Sequence, residues 1–477
     1  MINPKLKYLT SSQISVFLIF LLFTLSGFQF RENEDRKSGV GTKPNIIFIL
    51  TDDQRWDALG YAGNPIIHTP NMDKLAAEGI YFNNAFVTTA ICSASRASIL
   101  TGLYERTHDH TFGKMPLNDA YLFESYPYLL KKAGYRTGFV GKFGIKVNEG
   151  IEDSIFSKID KTFLPYFKEV NGQKKHLADI NGDLAIDFIK GSKDQPFCLS
   201  LSFWSPHADD GKEEQYFWPD YVDHLYQDAV IPVHETADPE FFKALPEFLQ
   251  TSLNRERWYW RFDTPEKHQR MVKGYYKMIS AVDSVLSRIR TALDQEGLAD
   301  NTVIIFMGDN GYFLGERGYA GKWLLHEPSI RVPLIIYDPR LPKRSQGRTY
   351  SQMVLNVDVP PTILSLAGIE IPKKYQGENL AAFYKGAPDP WRSGIYLEHR
   401  LENNPKLLMT EGYRDDEFKF IRYDDYNYVE LYHHKEDKNE KTNLALDPRY
   451  REMVAYYSAK CDSIQQELLR QRVENTR

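Results

Sequence analysis

The chain has 477 residues, a formal net charge of −5 at pH 7 and 42% hydrophobic residues. That length predicts more than one domain, one large and one smaller, with a sizeable core. The net charge argues against nucleic acid as a partner, because phosphate contacts require a basic surface. Aromatic residues are abundant, with 30 Tyr, 28 Phe and 7 Trp, which fits either a large core or a surface that stacks on sugars.

The first 27 residues have the layout of a secretory signal peptide. Lys5 and Lys7 precede the apolar run ISVFLIFLLFTL, and small residues follow it. This run is short for a membrane span, so cleavage is favoured and no stable membrane anchor is expected. Residues 28–43 are predicted to be a polar linker. The sequence therefore predicts an exported protein of the periplasm or cell envelope.

The folded part is predicted to begin with a buried strand. Asn45 to Leu50 is a continuous apolar run, typical of a strand that is covered on both faces of a parallel sheet. Helix and strand patterns then alternate as far as VIIFMGDNG. This alternation predicts an α/β catalytic domain over residues 44–374, with a large, mostly parallel central sheet flanked by helices.

Two stretches depart from this alternation. Residues 208–267 are rich in Asp, Glu, Tyr, Trp and Pro, and are predicted to be an insertion over the face where the strands end. Residues 375–477 contain short strand-like segments (GIYLEHR, FKFIRY and YVELYHH) and one terminal helix. They predict a smaller C-terminal α+β domain of antiparallel strands plus a helix.

The chain has three cysteines, which are odd in number and widely spaced, so no disulfide framework is expected. Cys198 is predicted to lie in a buried strand and Cys461 in the C-terminal helix. Cys92 stands among small and hydroxyl residues in AICSASRASILTG, four positions before Arg96. Taken alone, this pattern fits a small buried hydrophobic residue.

Two of the predicted strands end in acidic or amide pairs. Asp52 and Asp53 follow IIFILT, and Asp309 and Asn310 follow VIIFMG. In open α/β sheets, ligands bind outside the carboxyl ends of the strands, so these side chains are expected to converge. Four oxygen ligands suit Ca²⁺ or Mg²⁺ rather than zinc. Each pair alone could also be an ordinary strand-to-helix turn.

Six segments of the chain carry a family resemblance: PNIIFILTDDQRWDALGYAGN, CSASRASILTGLY, GYRTGFVGK, FWSPHADD, VIIFMGDNGYFLGERG and GKWLLHEPSIRVPLII. In this order they resemble the formylglycine-dependent (type I) sulfatases of the alkaline-phosphatase-like superfamily, and bacterial polysaccharide sulfatases in particular. The resemblance runs from Pro44 to Leu380, with a weaker echo at ELYHHKEDKNEKTNLA. It implies a sulfuric ester hydrolase that binds a divalent cation, Ca²⁺ with Mg²⁺ as the alternative.

Cys92 matches the nucleophile of the family signature, which is Cys or Ser, any residue, Pro or Ala, any residue, and Arg. The resemblance implies that a formylglycine-generating or equivalent maturation enzyme converts Cys92 to formylglycine, an aldehyde that hydrates to a gem-diol. One hydroxyl of the diol attacks sulfur, and the other later expels sulfate and restores the aldehyde. A serine has only one hydroxyl, so it has no second hydroxyl with which to expel sulfate. The implied metal site comprises Asp52, Asp53, Cys92, Asp309 and Asn310.

Four further residues receive roles from the resemblance. Arg96 would sit against the formylglycine and help to hold the diol and the metal ligands. Lys142 and Lys322 match the two sulfate-binding lysines, and a compact ammonium suits a sulfate oxygen. His207 matches the candidate general acid for the leaving alcohol. The ordinary alternatives are solvated lysines and a structural histidine.

One position departs from the family pattern. Many relatives read Gly-Lys-x-His, whereas this chain reads GKFG, with Gly144 in place of the histidine that helps to deprotonate the diol. Either His108 or His110, in ERTHDHTFG, takes over that task, or this subfamily manages without it.

The substrate is predicted to be a sulfated oligosaccharide, from a polysaccharide, attacked at a chain end. The aromatic and charged segments EEQYFWPDYVDHLYQD and RERWYWRFD would meet the sugar, although they could equally cover the core. The alternatives are a phosphonate or phosphodiester hydrolase of the same superfamily, and a catalytically silent carbohydrate-binding relative. The last is disfavoured by the presence of Cys92, Arg96, Lys142, His207 and Lys322.

Overall fold

The computed structural model describes residues 43–400 and 404–475. The predicted signal peptide and all but the last residue of the linker lie outside the described residues. Pro44–Arg477 forms one compact unit. Within the described part of the chain, no helix has both the length and the apolar character that a membrane crossing requires.

The strands are numbered in chain order. They are β1 Asn45–Thr51, β2 Ile80–Phe82, β3 Ala85–Phe86, β4 Arg136–Gly141, β5 Lys158–Lys161, β6 Phe167–Val170, β7 Gln173–His176, β8 Phe197–Ser202, β9 Thr302–Gly308, β10 Phe313–Leu314, β11 Ala320–Gly321, β12 Arg331–Val332, β13 Leu334–Tyr337, β14 Arg348–Tyr350, β15 Val354–Leu355, β16 Gly394–His399, β17 Thr410–Asp415, β18 Lys419–Tyr423 and β19 Tyr428–Tyr432.

The α-helices are numbered in the same way, and short 3-10 turns lie between them. They are α1 Pro70–Glu78, α2 Cys92–Thr101, α3 Glu105–His108, α4 Asp119–Leu122, α5 Tyr126–Lys132, α6 Ile151–Ile155, α7 Leu177–Lys190, α8 Pro239–Lys243, α9 Glu247–Gln250, α10 Leu253–Arg261, α11 Pro265–Gln295, α12 Glu327–Ile330, α13 Val359–Leu366 and α14 Arg451–Asn475.

The central sheet has eight strands in the order β14-β2-β13-β9-β1-β8-β4-β5. β13 pairs antiparallel with both of its neighbours, and the other pairs are parallel. The predicted large, mostly parallel sheet is therefore confirmed. Because β1 and β9 are adjacent and Thr51 pairs with Gly308, the residues that follow the two strands emerge side by side.

Both faces of the sheet are covered, as the apolar run in β1 predicts. Ile46 and Phe48 belong to a core cluster that includes residues of α2, α5 and α13. Ile47 and Ile49 belong to a second cluster, with residues of α1, α7 and α11. Alternate side chains of one strand thus pack in opposite directions, which requires a helix layer on each side.

Apart from short 3-10 turns, the segment between β8 and β9 is irregular as far as residue 238 and largely helical after it. It contains α8, α9 and α10, and the 31-residue helix α11 follows. Thr264 caps α11, since its side chain accepts a hydrogen bond from the Lys267 amide. The long helix therefore begins within the stretch 208–267 that was predicted to be an insertion.

The smaller C-terminal part is an antiparallel sheet of β16, β17, β18 and β19 in sequence order, covered by α14. The predicted strands and terminal helix are confirmed, and β17 is an additional strand that the sequence did not indicate. Chain beyond residue 374 stays in contact with the larger part, since the Gln376 amide donates to the Gly102 carbonyl at 2.8 Å. The domain boundary at residues 374–375 remains a prediction.

Candidate active site

The ends of β1 and β9 bring the two acidic pairs together. The Asp53 amide donates to Oδ1 of Asp309 at 3.0 Å, and the Asn310 side-chain amide donates to Oδ1 of Asp53 at 2.6 Å. Asp53 has φ 64°, in the left-handed region. This turn lets Asp52 and Asp53 both face the strand ends, and all four side chains are buried.

Cys92 is the first residue of α2, and every residue of that helix is buried. Its thiol donates to Oδ1 of Asp52 at 3.2 Å, and the ammonium of Lys322 donates to its sulfur at 2.6 Å. The N-terminal end of a helix carries partial positive charge and favours anions. Side chain 92 therefore faces both the acidic strand ends and a positively charged surrounding.

Arg96 lies one helical turn after Cys92 and holds several elements in place. Its Nε donates to Oδ2 of Asp309 at 2.8 Å, and one Nη donates to the Lys142 carbonyl at 2.7 Å and to Ser202 Oγ at 2.5 Å. The guanidinium thus connects α2 to the ends of β9, β4 and β8. Sequence reasoning missed Ser202, although its place at the end of a strand next to β1 was a usable signal.

The two predicted sulfate-binding lysines reach the acidic cluster from different sides. Lys142 follows β4, donates to Oδ2 of Asp52, and lies 4.5 Å above the ring centre of Trp204. Lys322 follows the hairpin of β10 and β11 and donates to Oδ1 of Asp53. Both lysines are less than a tenth exposed. They are therefore not solvated surface lysines.

His207 stands at the edge of the same cluster. Its Nε2 lies 3.8 Å from Oδ2 of Asp53, while its Nδ1 is buried without a hydrogen-bond partner among the residues that the structure describes. The Tyr166 hydroxyl donates to the backbone carbonyl of His207 and fixes this part of the loop. Burial and the neighbouring Lys142 ammonium lower the pKa of His207 to about 3.

The acidic cluster fits a divalent cation. Single ligand atoms of Asp52, Asp53, Cys92 and Asp309 all lie within 4.8 Å of one another. The side-chain oxygen of Asn310 points into buried space and finds no hydrogen-bond partner in the described chain. Buried acceptors without partners are unusual and call for a ligand, and carboxylate and amide oxygens suit Ca²⁺ or Mg²⁺.

The charges of the cluster support the same interpretation. Burial, together with the Asp52 charge, raises the pKa of Asp309, and burial raises the pKa of Asp53 against the opposing effect of Lys322. The pKa of Asp52 is instead held below its usual value by Lys142, although burial opposes this. Crowded carboxylates of this kind are stabilised by a bound cation.

The thiol of Cys92 is a poor nucleophile in this setting. Burial and the adjacent Asp52 carboxylate raise its pKa to about 12. The thiolate is the reactive form of cysteine, so an unmodified Cys92 is protonated and unreactive near neutral pH.

The two candidate auxiliary histidines lie beside α2 and contact its other residues. His110 Nε2 is 2.9 Å from Ser93 Oγ, and His108 Nε2 is 3.1 Å from Ser98 Oγ. Neither histidine forms a hydrogen bond with Cys92 in the described structure. Their predicted role in proton transfer therefore remains a prediction.

Gly144 occupies the position of the absent family histidine, and the space is filled by an arginine. Its φ is +71°, and a Cβ placed on it would lie 2.7 Å from Cδ of Arg96. A side chain at position 144 would force either the backbone or Arg96 to move. The glycine at position 144 therefore fits the packing of the Arg96 side chain.

Three residues of the stretch 208–267 form an ion-pair cluster next to the site, which sequence reasoning did not single out. Arg257 and Arg261, one turn apart on α10, both pair with Asp210. The segments FWSPHADD and RERWYWRFD contain all three residues, but only the tertiary structure shows that they meet.

Comparison with protein families identifies two matches. The sulfatase family model matches residues 44–369. A second model, described as the C-terminal part of N-sulphoglucosamine sulphohydrolase, matches residues 315–467. The first match covers more than half of the chain and contains every residue of the site described above.

Individual relatives agree with these matches. An N-acetylglucosamine-6-O-sulfatase of Bacteroides thetaiotaomicron is 29% identical, over 92% of this chain and 90% of its own. A protein solved with its substrate D-glucosamine-2-N,6-O-disulfate is 25% identical with a TM-score of 0.74, over 91% and 99% of the two chains. A phosphonate monoester hydrolase of Agrobacterium radiobacter shares the fold, with a TM-score of 0.74 at 23% identity over 89% and 96%.

Proposed function

The chain belongs to the sulfatase family, and from this premise we propose that it hydrolyses sulfate esters of saccharides with formylglycine made from Cys92 and a bound divalent cation. Sulfuric ester hydrolysis is the activity of the named sulfatase relatives. The observation that carries the finer proposal is the position of Cys92, whose sulfur contacts both Asp52 and Lys322. A side chain placed between an acidic cluster and a buried ammonium can act on a bound anion.

The proposed cation is Ca²⁺, with Mg²⁺ as the alternative. Asp52, Asp53, Asp309 and Asn310 would hold it, together with residue 92, because their ligand atoms already converge. The bound ion would polarise the sulfate and acidify the nucleophile. Arg96 keeps Asp309 in place through its 2.8 Å contact.

The remaining residues bind the anion and handle protons. Lys142 contacts Asp52, Lys322 contacts Asp53, and each would donate to a sulfate oxygen. Nε2 of His207 faces the cluster and would give a proton to the leaving oxygen, because the negative charge of a bound sulfate ester would raise the low pKa of this imidazole. The aldehyde at residue 92 would supply a hydrated nucleophile that can release sulfate.

The proposed substrate is a sulfated saccharide, and the proposed location is outside the cytoplasm. The matches to an N-acetylglucosamine-6-O-sulfatase and to a protein that takes a glucosamine disulfate support the first proposal. The apolar run after Lys5 and Lys7 supports the second. A maturation enzyme that oxidises Cys92 is part of the proposal.

The test combines mass spectrometry of the Cys92 peptide with assays of sulfate release. Protein produced with a formylglycine-generating enzyme is expected to carry an aldehyde at residue 92 and to release sulfate from 4-nitrophenyl sulfate and from sulfated saccharides. A phosphonate monoester serves as the competing substrate, because the fold is shared with a phosphonate monoester hydrolase. A higher kcat/KM for the phosphonate than for every sulfate ester would overturn the proposal.

A further inference from the structure

We propose that Arg257, held by Asp210 and backed by Arg261, binds a second anionic group of the saccharide, beside the sulfate ester that is cleaved. This inference rests on the proposed function and names a finer feature of its substrate. The anionic group is a carboxylate or a second sulfate. Both spread a negative charge over several acceptor oxygens.

Arg257 lies against the segment that carries Lys322. The side-chain amide of Asn254, on the same helix α10, donates to the carbonyl oxygens of Ala320 at 3.2 Å and Lys322 at 2.8 Å. The guanidinium carbon of Arg257 lies 4.8 Å from the ring centre of Trp323, the residue after that lysine. The guanidinium of Arg257 is thus placed next to the proposed sulfate site.

Asp210 reaches the same place from the loop that carries His207, three positions earlier in the chain. Its Oδ2 forms an ion pair with Nη2 of Arg257 at 2.7 Å, and its Oδ1 forms another with Nη2 of Arg261. The Asp210 carboxylate therefore joins α10 to the loop that carries His207, the proposed general acid. It fixes Arg257 between that loop and the segment that carries Lys322.

The cluster has one more positive charge than it can neutralise. Within the described chain, Asp210 is the only carboxylate in ion-pair distance of either arginine. Arg261 is fully buried, and a buried charge requires a partner, so Asp210 is needed to neutralise it. The side chain of Arg257 is 17% exposed, which leaves the surplus charge on the side that solvent can reach.

The hydrogen-bond count points the same way. Nε and Nη1 of Arg261 lack hydrogen-bond partners among the described residues but belong to a side chain with no exposed surface. Nε of Arg257 also lacks a partner among the described residues, on a side chain that solvent reaches. Donors of this kind are costly unless an acceptor completes them. A neutral hydroxyl would accept one hydrogen bond and leave the charge unpaired, whereas a carboxylate or sulfate supplies several acceptor oxygens and a negative charge.

The test compares Arg257→Gln with the unaltered protein on saccharides that share one sulfate ester and differ in one anionic group. N-acetylglucosamine 6-sulfate against glucosamine 2-N,6-O-disulfate tests a second sulfate, and a uronate-linked disaccharide of N-acetylglucosamine 6-sulfate tests a carboxylate. We expect the unaltered protein to prefer one doubly anionic member by about 10- to 100-fold in kcat/KM. Arg257→Gln should remove that preference, and Arg257→Lys should keep part of it.

The matched control is Arg255→Gln on the same helix. Arg255 packs over Phe242 and Trp258 at 3.8 Å and has no place in the proposed cluster. We expect Arg255→Gln to leave the preference unchanged and to alter turnover of 4-nitrophenyl sulfate by less than about threefold. An equal loss on every substrate in Arg257→Gln, or no preference in the unaltered protein, would overturn the inference.

A binding measurement separates this inference from the proposed function. If no sulfate ester is turned over by the mature protein, the proposed function is wrong, and calorimetry on Cys92→Ala with the same saccharides still decides the subsite. Tighter binding of a doubly anionic saccharide that is lost in Cys92→Ala/Arg257→Gln supports it. Equal dissociation constants for all saccharides, or no binding of the doubly anionic ones, would overturn it.

Discussion

The ammonium nitrogen of Lys322 lies 2.6 Å from the sulfur of Cys92, although 230 positions separate them in the chain. Trp323 keeps them together, because its ring packs with Ile91 and Ala94 at the start of α2 and its amide donates to the Ala90 carbonyl at 3.0 Å. A buried cation at this distance can stabilise negative charge that develops at side chain 92 or on a bound sulfate.

Cys92→Ala and Cys92→Ser are both expected to abolish steady-state sulfate release. The first removes the side chain that maturation converts to the aldehyde, and the second leaves an alcohol that lacks an internal route for sulfate to leave. Sulfate release by ion chromatography measures the loss, and thermal unfolding checks that the fold remains. Cys461→Ala, at a buried site in the C-terminal helix, is the control and should keep its activity. Normal turnover by a protein whose Cys92 is unmodified would contradict this prediction.

Removal of divalent cations with a chelator is expected to lower activity, and Ca²⁺ or Mg²⁺ should restore it. Asp309→Ala should weaken metal affinity by at least about tenfold, because it removes a carboxylate of the cluster and the partner of Arg96. Elemental analysis and calorimetry measure the metal, and urea unfolding measures stability. Full activity in protein without bound metal would contradict the expectation.

Lys142→Ala is expected to lower kcat by about 10²–10³-fold, the usual effect of removing one donor to a developing anion. Lys142 is buried beside Asp52 and lies over Trp204, so it is fixed toward the cluster. Lys146→Ala is the control, since that side chain is exposed four positions further along the same loop. Kinetics on 4-nitrophenyl sulfate compare the two, and an equal effect of both changes would rule out a specific role for Lys142.

The convergence of the acidic pairs could be predicted because it follows from strand order alone. Each pair ends a buried apolar run, and parallel neighbours place such ends at one edge of the sheet, as Asp53 and Asp309 show. The position of Cys92 came from the family resemblance. Nothing local in AICSASRASILTG places a lone cysteine beside Lys322, since that contact depends on the packing of Trp323.

Other features could not be predicted because tertiary contacts produce them. β17 (TEGYRD) lacks the alternation of apolar residues that would predict a strand. Its charged side chains Glu411 and Arg414 are buried, and ion pairs neutralise them. Glu411 pairs with Arg106 and Arg422, and Arg414 pairs with Glu327. The Asp210 cluster escaped notice for the same reason, because its members lie in two separate segments that meet only when α10 packs beside the strand ends.

Gly144→His, which restores the histidine found in many relatives, is expected to lower activity rather than raise it. The backbone there has φ +71°, and a Cβ would meet Cδ of Arg96 at 2.7 Å. A displaced Arg96 would misplace Asp309 and the start of α2, and a shift of this size costs about 10²-fold in rate. Gly144→Ala should show most of the same loss, because the Cβ alone makes the contact.

Gly172→His is the matched control for the backbone conformation. Gly172 has φ +75° and nothing within 4 Å of a Cβ placed on it. A substitution there introduces the same backbone strain as at Gly144 but no close contact with a neighbouring side chain. It should cost about 1–2 kcal/mol of stability and leave kcat unchanged. Thermal unfolding and kcat/KM on 4-nitrophenyl sulfate separate the two effects. If Gly144→His matched or exceeded the unaltered protein in kcat, the imidazole would have regained the family role without displacing Arg96, and the packing argument would be wrong.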